Sequence, residues 1–279
     1  MSESVPPDEE LSRPAPLGAP DRLAPGPAEA RPASVSEALS FAFDDKRSLL
    51  VVGLWLLCPI AGYLAVQGWA SEAQHRLLVN HPDPVPTPRA RDFLHYARRG
   101  RAAAFVELLG IAVFWAVGLA LLGLMNASLL AAGLVAGSLL VPLAVLAAGV
   151  LLCIAVLGMV TVVLNAMLTR AELTERLSDA LAIGEAWREA RLIRKKTFAT
   201  YLVFVPAALA LVIAGSVLCG VGVLPALVAI KLTGVHLRWQ LHQQRVARGG
   251  TALPARAPVA LPSEQHLVRH LPTPGAVRR

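Results

Sequence analysis

The chain has 279 residues, of which 55% are apolar and 16% charged, and its formal net charge is +7. That balance excludes a highly charged soluble domain and a wholly disordered chain, and it places the protein among membrane proteins. The excess of base does not point to nucleic acid, because Arg and Lys border apolar runs instead of forming one soluble patch; the partner it implies is a bilayer with anionic headgroups.

Residues 1–34 are rich in Pro, Ala and acid, which cannot bury enough surface to order, so a disordered tail is expected. They lack the basic and apolar regions of a signal peptide, and insertion is expected to rely on internal helices. Ser34 and Glu37 have capping-box spacing and predict a short helix through Ala42. The first membrane segment is read at 48–70, with Trp55, Tyr63 and Trp69 as interface aromatics and Pro59 at its centre as a kink or break.

A basic loop at 71–101 contains the non-helical stretch HPDPVPTP. From Leu108 to Thr169 there is then no Asp, Glu, Lys, Arg or His. A crossing takes about 20 apolar residues, so this run holds at least two. They are read at 102–125, stopping at Asn126-Ala127-Ser128, and at 142–168, after Pro142. The surplus apolar length at 128–141 is expected to form a half-helix or an extended hairpin tip. Thr169 and Glu172 look like a capping box opening a polar helix that runs through Lys196 in the second basic loop, 170–197. Crossings at 199–218 and 223–240 follow around the turn Gly220-Val221-Gly222, and residues 243–279 form a basic tail expected to be disordered.

The fold class that follows is all-α, a polytopic transmembrane bundle of about five crossings with disordered tails, its membrane domain spanning 35–242. The positive-inside rule puts both basic loops in the cytoplasm, so an even number of crossings separates them. For the first segment the favoured reading is one crossing with the N-terminal tail outside. The competing reading folds 48–70 back at Pro59 and keeps that tail inside. The Arg, Ala, Gly and Pro bias suggests a bacterial source, hence the cell inner (cytoplasmic) membrane.

Enzymatic signatures are missing: the sequence has no P-loop, no HExxH and no nucleophile elbow. No cofactor or metal is expected. Cys58, Cys153 and Cys219 lack CxxC spacing and read as small hydrophobes. His266 and His270 have the spacing of one helix face but no third ligand nearby. Gly133 and Gly137 give GxxxG, a helix-packing spacing common by chance in so Gly-rich a chain.

Four ionisable groups lie inside apolar segments: Glu107, Lys231, His236 and Arg238. Glu107 falls six residues past Arg101, about 9 Å along a helix rising ~1.5 Å per residue. Pairing it with Lys231 or Arg238 would remove much of the cost of burying each charge. Such a group could be a structural pair or the binding site of a small transporter. In the polar helix, Leu173, Leu177, Leu181, Gly184 and Trp187 are spaced as one face, while Arg188, Arg191, Arg194, Lys195 and Lys196 load its end with positive charge. Trp187 and these five basic residues are the candidate lipid-surface contacts.

Several segments, FAFDDKRSLL, LWLLCPIAGYLAVQGW, RARDFLHYARRG, LTERLSDALAIGEAWREARLIRKKTFATYL and KLTGVHLRWQ, together resemble an uncharacterised family of bacterial and archaeal polytopic membrane proteins, domain of unknown function 4013. Asp44, Pro59, Gly62-Tyr63, Asp92-Phe93 and Gly234 fall where that family's recurring residues are expected. The last helix is more basic than the family pattern. The resemblance implies a membrane protein and no reaction. The reading is therefore a non-enzymatic scaffold, assembly or lipid-surface component that engages lipid and a membrane-protein partner or a second copy. The alternative is a small transporter or permease subunit using Glu107 with Lys231 or Arg238, and a membrane enzyme ranks third.

Overall fold

The computed structural model describes residues 32–135, 140–217, 222–253, 261 and 263. Gly137, Cys219, His266, His270, residues 1–31 and most of the stretch after 253 lie outside the described residues. Every regular element among the described residues is helical.

The chain opens as predicted, with α1 (Val35–Phe43) capped by Ser34, whose hydroxyl accepts a hydrogen bond from the Glu37 amide. Asp45 caps α2 (Lys46–Trp55) in the same way, accepting from the Ser48 amide at 3.0 Å. The expected crossing at 48–70 is then broken. Helix α2 stops at Trp55, and α3 (Pro59–Leu78) starts with Pro59 at its first position, where a missing N–H costs nothing. The turn is so tight that a Cβ on Gly62 would sit 1.7 Å from the Trp55 carbonyl oxygen.

This corner reverses the chain. Going down, the Ser34 amide donates to Gln240, Phe41 stacks on His236, and Gly53 packs against Leu224 and Pro225. Coming back, α3 buries Trp69, Ala70 and Ala73 with Val228, Leu232 and Val235, and His75 Nε2 reaches the Leu173 carbonyl at 3.0 Å. Segment 35–78 thus begins and ends at the same end of the bundle. The single crossing expected at 48–70 is corrected to a chain that folds back, and the cause is Pro59 together with Gly62.

After a 3₁₀ turn (Ala90–Asp92) and α4 (Phe93–Arg99) come two long antiparallel helices, α5 (Arg101–Val135) and α6 (Leu140–Thr174). Each has 35 residues, about 52 Å at ~1.5 Å per residue. The surplus apolar length is therefore spent on longer helices, and the predicted half-helix does not form over the described part of 128–141. Asn126 and Ser128 do not stop α5, because their side chains donate back to the Leu122 and Leu124 carbonyls of the same helix.

Thr169 likewise donates to the Asn165 carbonyl inside α6 instead of capping a new helix. The break comes later, at Glu175, whose φ of +54° ends the helix in the left-handed region. The predicted polar helix 172–196 is split among the end of α6, the single turn α7 (Leu177–Ala180) and the start of α8 (Ile183–Val217). Helix α8 runs on without interruption into the predicted crossing at 199–218. Its buried face is Ala186, Ala190, Ile193 and Thr197, not the predicted Leu-rich face. Helix α9 (Val223–Ala247) overruns its expected end. The predicted disordered tail 243–279 is corrected at its start: residues 243–247 are helical, Leu261 joins the core, and the Ser263 amide donates to Asp92 at 2.9 Å.

Three helices, over Arg101–Ala132, Leu140–Thr174 and Ile183–Val217, are long and apolar enough to cross a membrane. Their most apolar windows are only 6%, 0% and 11% buried, so the greasy side chains face outward. Five such helices are not found among the described residues, because 48–70 is broken and α9 carries Lys231, His236, Arg238 and Arg245. The charges collect in the packed end of the bundle instead. Apolar groups outside and paired charges inside are what a hydrocarbon solvent requires of a helical protein.

Candidate functional site

Helices α3, α5, α6, α8 and α9 converge on a cavity of about 550 Å³. Its charged end contains Glu107, Lys231 and Arg238, three of the four ionisable residues that the sequence singled out. Lys231 Nζ lies 2.6 Å from Glu107 Oε2, so the structure brings this pair together. Arg238 does not join Glu107. It makes a two-pronged contact with Glu172, Nε to Oε2 at 2.8 Å and Nη2 to Oε1 at 2.6 Å. Lys231 is 3.6 Å from the same Glu172 and links the two pairs. His236 stays apart from this group, stacked between Phe41 and Trp239.

The four linked side chains are unequally sheltered: Glu172 is 0% exposed, Arg238 5%, Lys231 10% and Glu107 30%. Gln67 donates its amide to Glu107 Oε2 at 2.5 Å, and the Tyr201 hydroxyl donates to Asn165 Oδ1 at 2.5 Å on the cavity wall. Glu172, Gln67, Asn165 and Tyr201 escaped the sequence reading. Glu172 carried a signal, since it lies one turn past a charge-free run, but its spacing from Thr169 disguised it as a cap.

Two more networks clamp the same end. Glu72 joins Arg76 at 3.0 Å and also Arg99, which in turn binds Glu175. Burial pushes the Glu72 carboxyl up, but Arg99 and Arg76 outweigh it and hold it below its ordinary value. His75 and His95 are both pushed down, first by burial and then by Arg99. In the third network Arg170 binds Glu185 and Glu189, and Glu189 also binds Arg245. His242 accepts from Arg245 at 3.0 Å, and burial beside that cation pushes it down to about 3. These side chains tie α3 to α4 and α6, and α6 to α8 and α9. Chemically they are closed acid–base pairs.

The candidate lipid contacts lie at the boundary between the packed end and the outward-facing apolar zone. Arg188, Arg191, Arg194, Lys195 and Lys196 are exposed on α8, just ahead of exposed Leu202, Val203 and Val205. Trp187 is half-buried, with the Arg191 guanidinium 5.7 Å from its ring centre. Among the described residues no group of three or more His, Cys, Asp or Glu is placed to hold a metal ion.

Comparison with curated proteins and with solved structures found no match. A family model does match, over residues 51–224, which takes in Gln67, Glu107, Glu172 and the basic edge of α8 but stops short of Lys231 and Arg238. The chain belongs to the family described as Protein of unknown function (DUF4013).

Proposed function

We propose that this protein is a non-enzymatic component of the bacterial cytoplasmic membrane, a scaffold or assembly factor that works by its position at an anionic lipid surface. The observation that carries this reading is the basic edge of α8, five exposed cations set where the polar end of the bundle gives way to outward-facing apolar helix. Each such group near anionic lipid contributes about 1 kcal/mol. Reconstitution in phosphatidylcholine with and without phosphatidylglycerol tests it. The anionic lipid is expected to raise the melting temperature of the wild type, and replacing Arg188, Arg191, Arg194, Lys195 and Lys196 by Gln is expected to abolish the gain. Equal melting in both lipids would sink the reading. Reporter fusions at residues 20, 85 and 134 complete the test, with 20 and 85 internal and 134 external.

The cavity favours one second reading, a small transporter or permease subunit. If Glu107→Gln and Lys231→Ala leave protein level unchanged but abolish a solute flux, the scaffold reading fails.

A further inference from the structure

The cavity has one wall of outward-facing apolar groups and, at one end, a carboxylate oxygen to which no described residue donates. Ile111, Phe114 and Trp115 on α5 and Leu227 on α9 line it and are also exposed on the surface of the helices, so its mouth opens sideways into the apolar zone. At the other end both protein donors to Glu107, Lys231 Nζ and Gln67 Nε2, fall on the same oxygen, Oε2. No described residue donates to Glu107 Oε1, although the side chain is partly open to the cavity. Gln67 is 1% exposed and holds Glu107 Oε2 through its amide, while its own Oε1 and the Tyr63 hydroxyl beside it are sealed from the cavity. A buried acceptor left without a donor costs about 1–3 kcal/mol, so this end is built for something that donates.

Charge narrows the choice. Glu107 and Glu172 are already balanced by Lys231 and Arg238, so a charged headgroup would leave the low-dielectric end with an uncompensated charge. A phosphate or carboxylate would also set its oxygens against acceptors. An uncharged head bearing hydroxyls satisfies Glu107 Oε1 and disturbs no pair. The volume of about 550 Å³ falls within the range of small-molecule sites, roughly 300–1,000 Å³.

We propose that this cavity binds an uncharged, hydroxyl-headed amphiphile drawn laterally from the bilayer, its head on Glu107, which Gln67 holds in place, and its chain leaving between Trp115 and Leu227. This goes beyond the scaffold reading and does not depend on it, since the basic edge of α8 plays no part.

The test uses the full chain in phosphatidylcholine vesicles with a photoactivatable monoacylglycerol and mass-spectrometric mapping of the labelled peptides. Label is expected on 111–115 and 227–231. Unlabelled monoacylglycerol is expected to displace it about tenfold better than the fatty acid or the alkane of the same chain, a difference of ~1.4 kcal/mol. Ile111→Trp fills the mouth from an exposed position and is expected to cut labelling of 227–231 about tenfold, with melting unchanged, the same ~1.4 kcal/mol. Leu227→Trp tests the opposite wall and stands in if the first variant fails to fold. Gln67→Met is expected to remove the preference for monoacylglycerol over alkane while labelling persists. Equal displacement by all three competitors would reduce the label to boundary lipid and overturn the proposal. Stronger displacement by the fatty acid would make this an anion site, and absence of label would leave the acceptors to water. Either result also overturns it.

Discussion

Glu172→Gln isolates what the ionic core contributes. The substitution keeps the size of the side chain and one acceptor but removes its charge. Arg238 then loses a two-pronged carboxylate at 2.8 and 2.6 Å, and Lys231 loses its neighbour at 3.6 Å. Two buried cations are left facing only Glu107. Breaking a buried pair by removing one partner costs about 3–5 kcal/mol. Against a typical total stability of about 5–15 kcal/mol that is a large share. At about 2–4 °C per kcal/mol for a chain of this size, the melting temperature in lipid nanodiscs should fall by on the order of 10 °C. The double variant Glu172→Met/Arg238→Met should recover most of the loss, because it removes both charges and leaves the Glu107–Lys231 pair balanced. Arg188→Gln is the control: Arg188 and Glu185 are 4.0 Å apart and largely exposed, and such a pair is worth about 0–1 kcal/mol. A loss below about 1 kcal/mol for Glu172→Gln, or a double variant as unstable as the single, would refute the reasoning.

Three further outcomes are expected. Gly68→Ala should destabilise the protein by about 1–3 kcal/mol in the same melting assay, since its Cβ would lie 1.9 Å from the Tyr96 carbonyl oxygen and must push α3 off α4. Gly118→Ala, with nothing within 4 Å of the added Cβ, should be neutral or slightly stabilising. Acidification from pH 7 to pH 5 should destabilise the protein. His242 titrates at about 3 when folded against an ordinary 6.5, so between those values the unfolded chain binds a proton that the folded chain refuses. Stability is then full above pH 6.5 and falls by ~1.4 kcal/mol per unit below it, about 2 kcal/mol by pH 5, and His242→Gln should reduce the slope, with His75, His95 and His236 supplying what remains.

What could be read in advance was whatever short-range chemistry controls. The Ser34 cap, the two apolar helices formed by the Leu108–Thr169 run and the Glu107–Lys231 meeting all followed from local pattern or from the cost of an unpaired charge. What stayed hidden was set by contacts between distant residues. Pro59 announced a kink or break, but the reversal also needs Gly62 against Trp55, and its path is set by α9, almost two hundred residues later in the chain. Thr169 and Glu172 satisfied a capping pattern, yet Thr169 is interior to α6 and Glu172 is claimed by Arg238, 66 positions further along the chain. A spacing rule cannot tell a cap from an ion-pair partner when both want a carboxylate near a helix boundary. Arg238 was matched to Glu107 for the same reason, because depth in the membrane can be counted along a helix whereas the direction a side chain takes across the bundle cannot.

The two carboxylates of the central network should part company when each is neutralised. Glu107 stands at the open end, 30% exposed, and its partner Lys231 keeps Glu172 within 3.6 Å if Glu107 becomes Gln. Glu172 stands at the closed end, 0% exposed, with both cations depending on it. In lipid there is little hydrophobic drive between helices, so a bundle whose apolar windows lie open to the solvent must be ordered largely by its polar end. Glu107→Gln should therefore cost less than Glu172→Gln, about 1–3 kcal/mol, the range of one charge-assisted hydrogen bond. Melting of the two variants side by side measures the order. Should Glu107→Gln prove the more damaging, the open end of the network would be what holds the helices together, and an exposed acceptor there could no longer be reserved for a ligand.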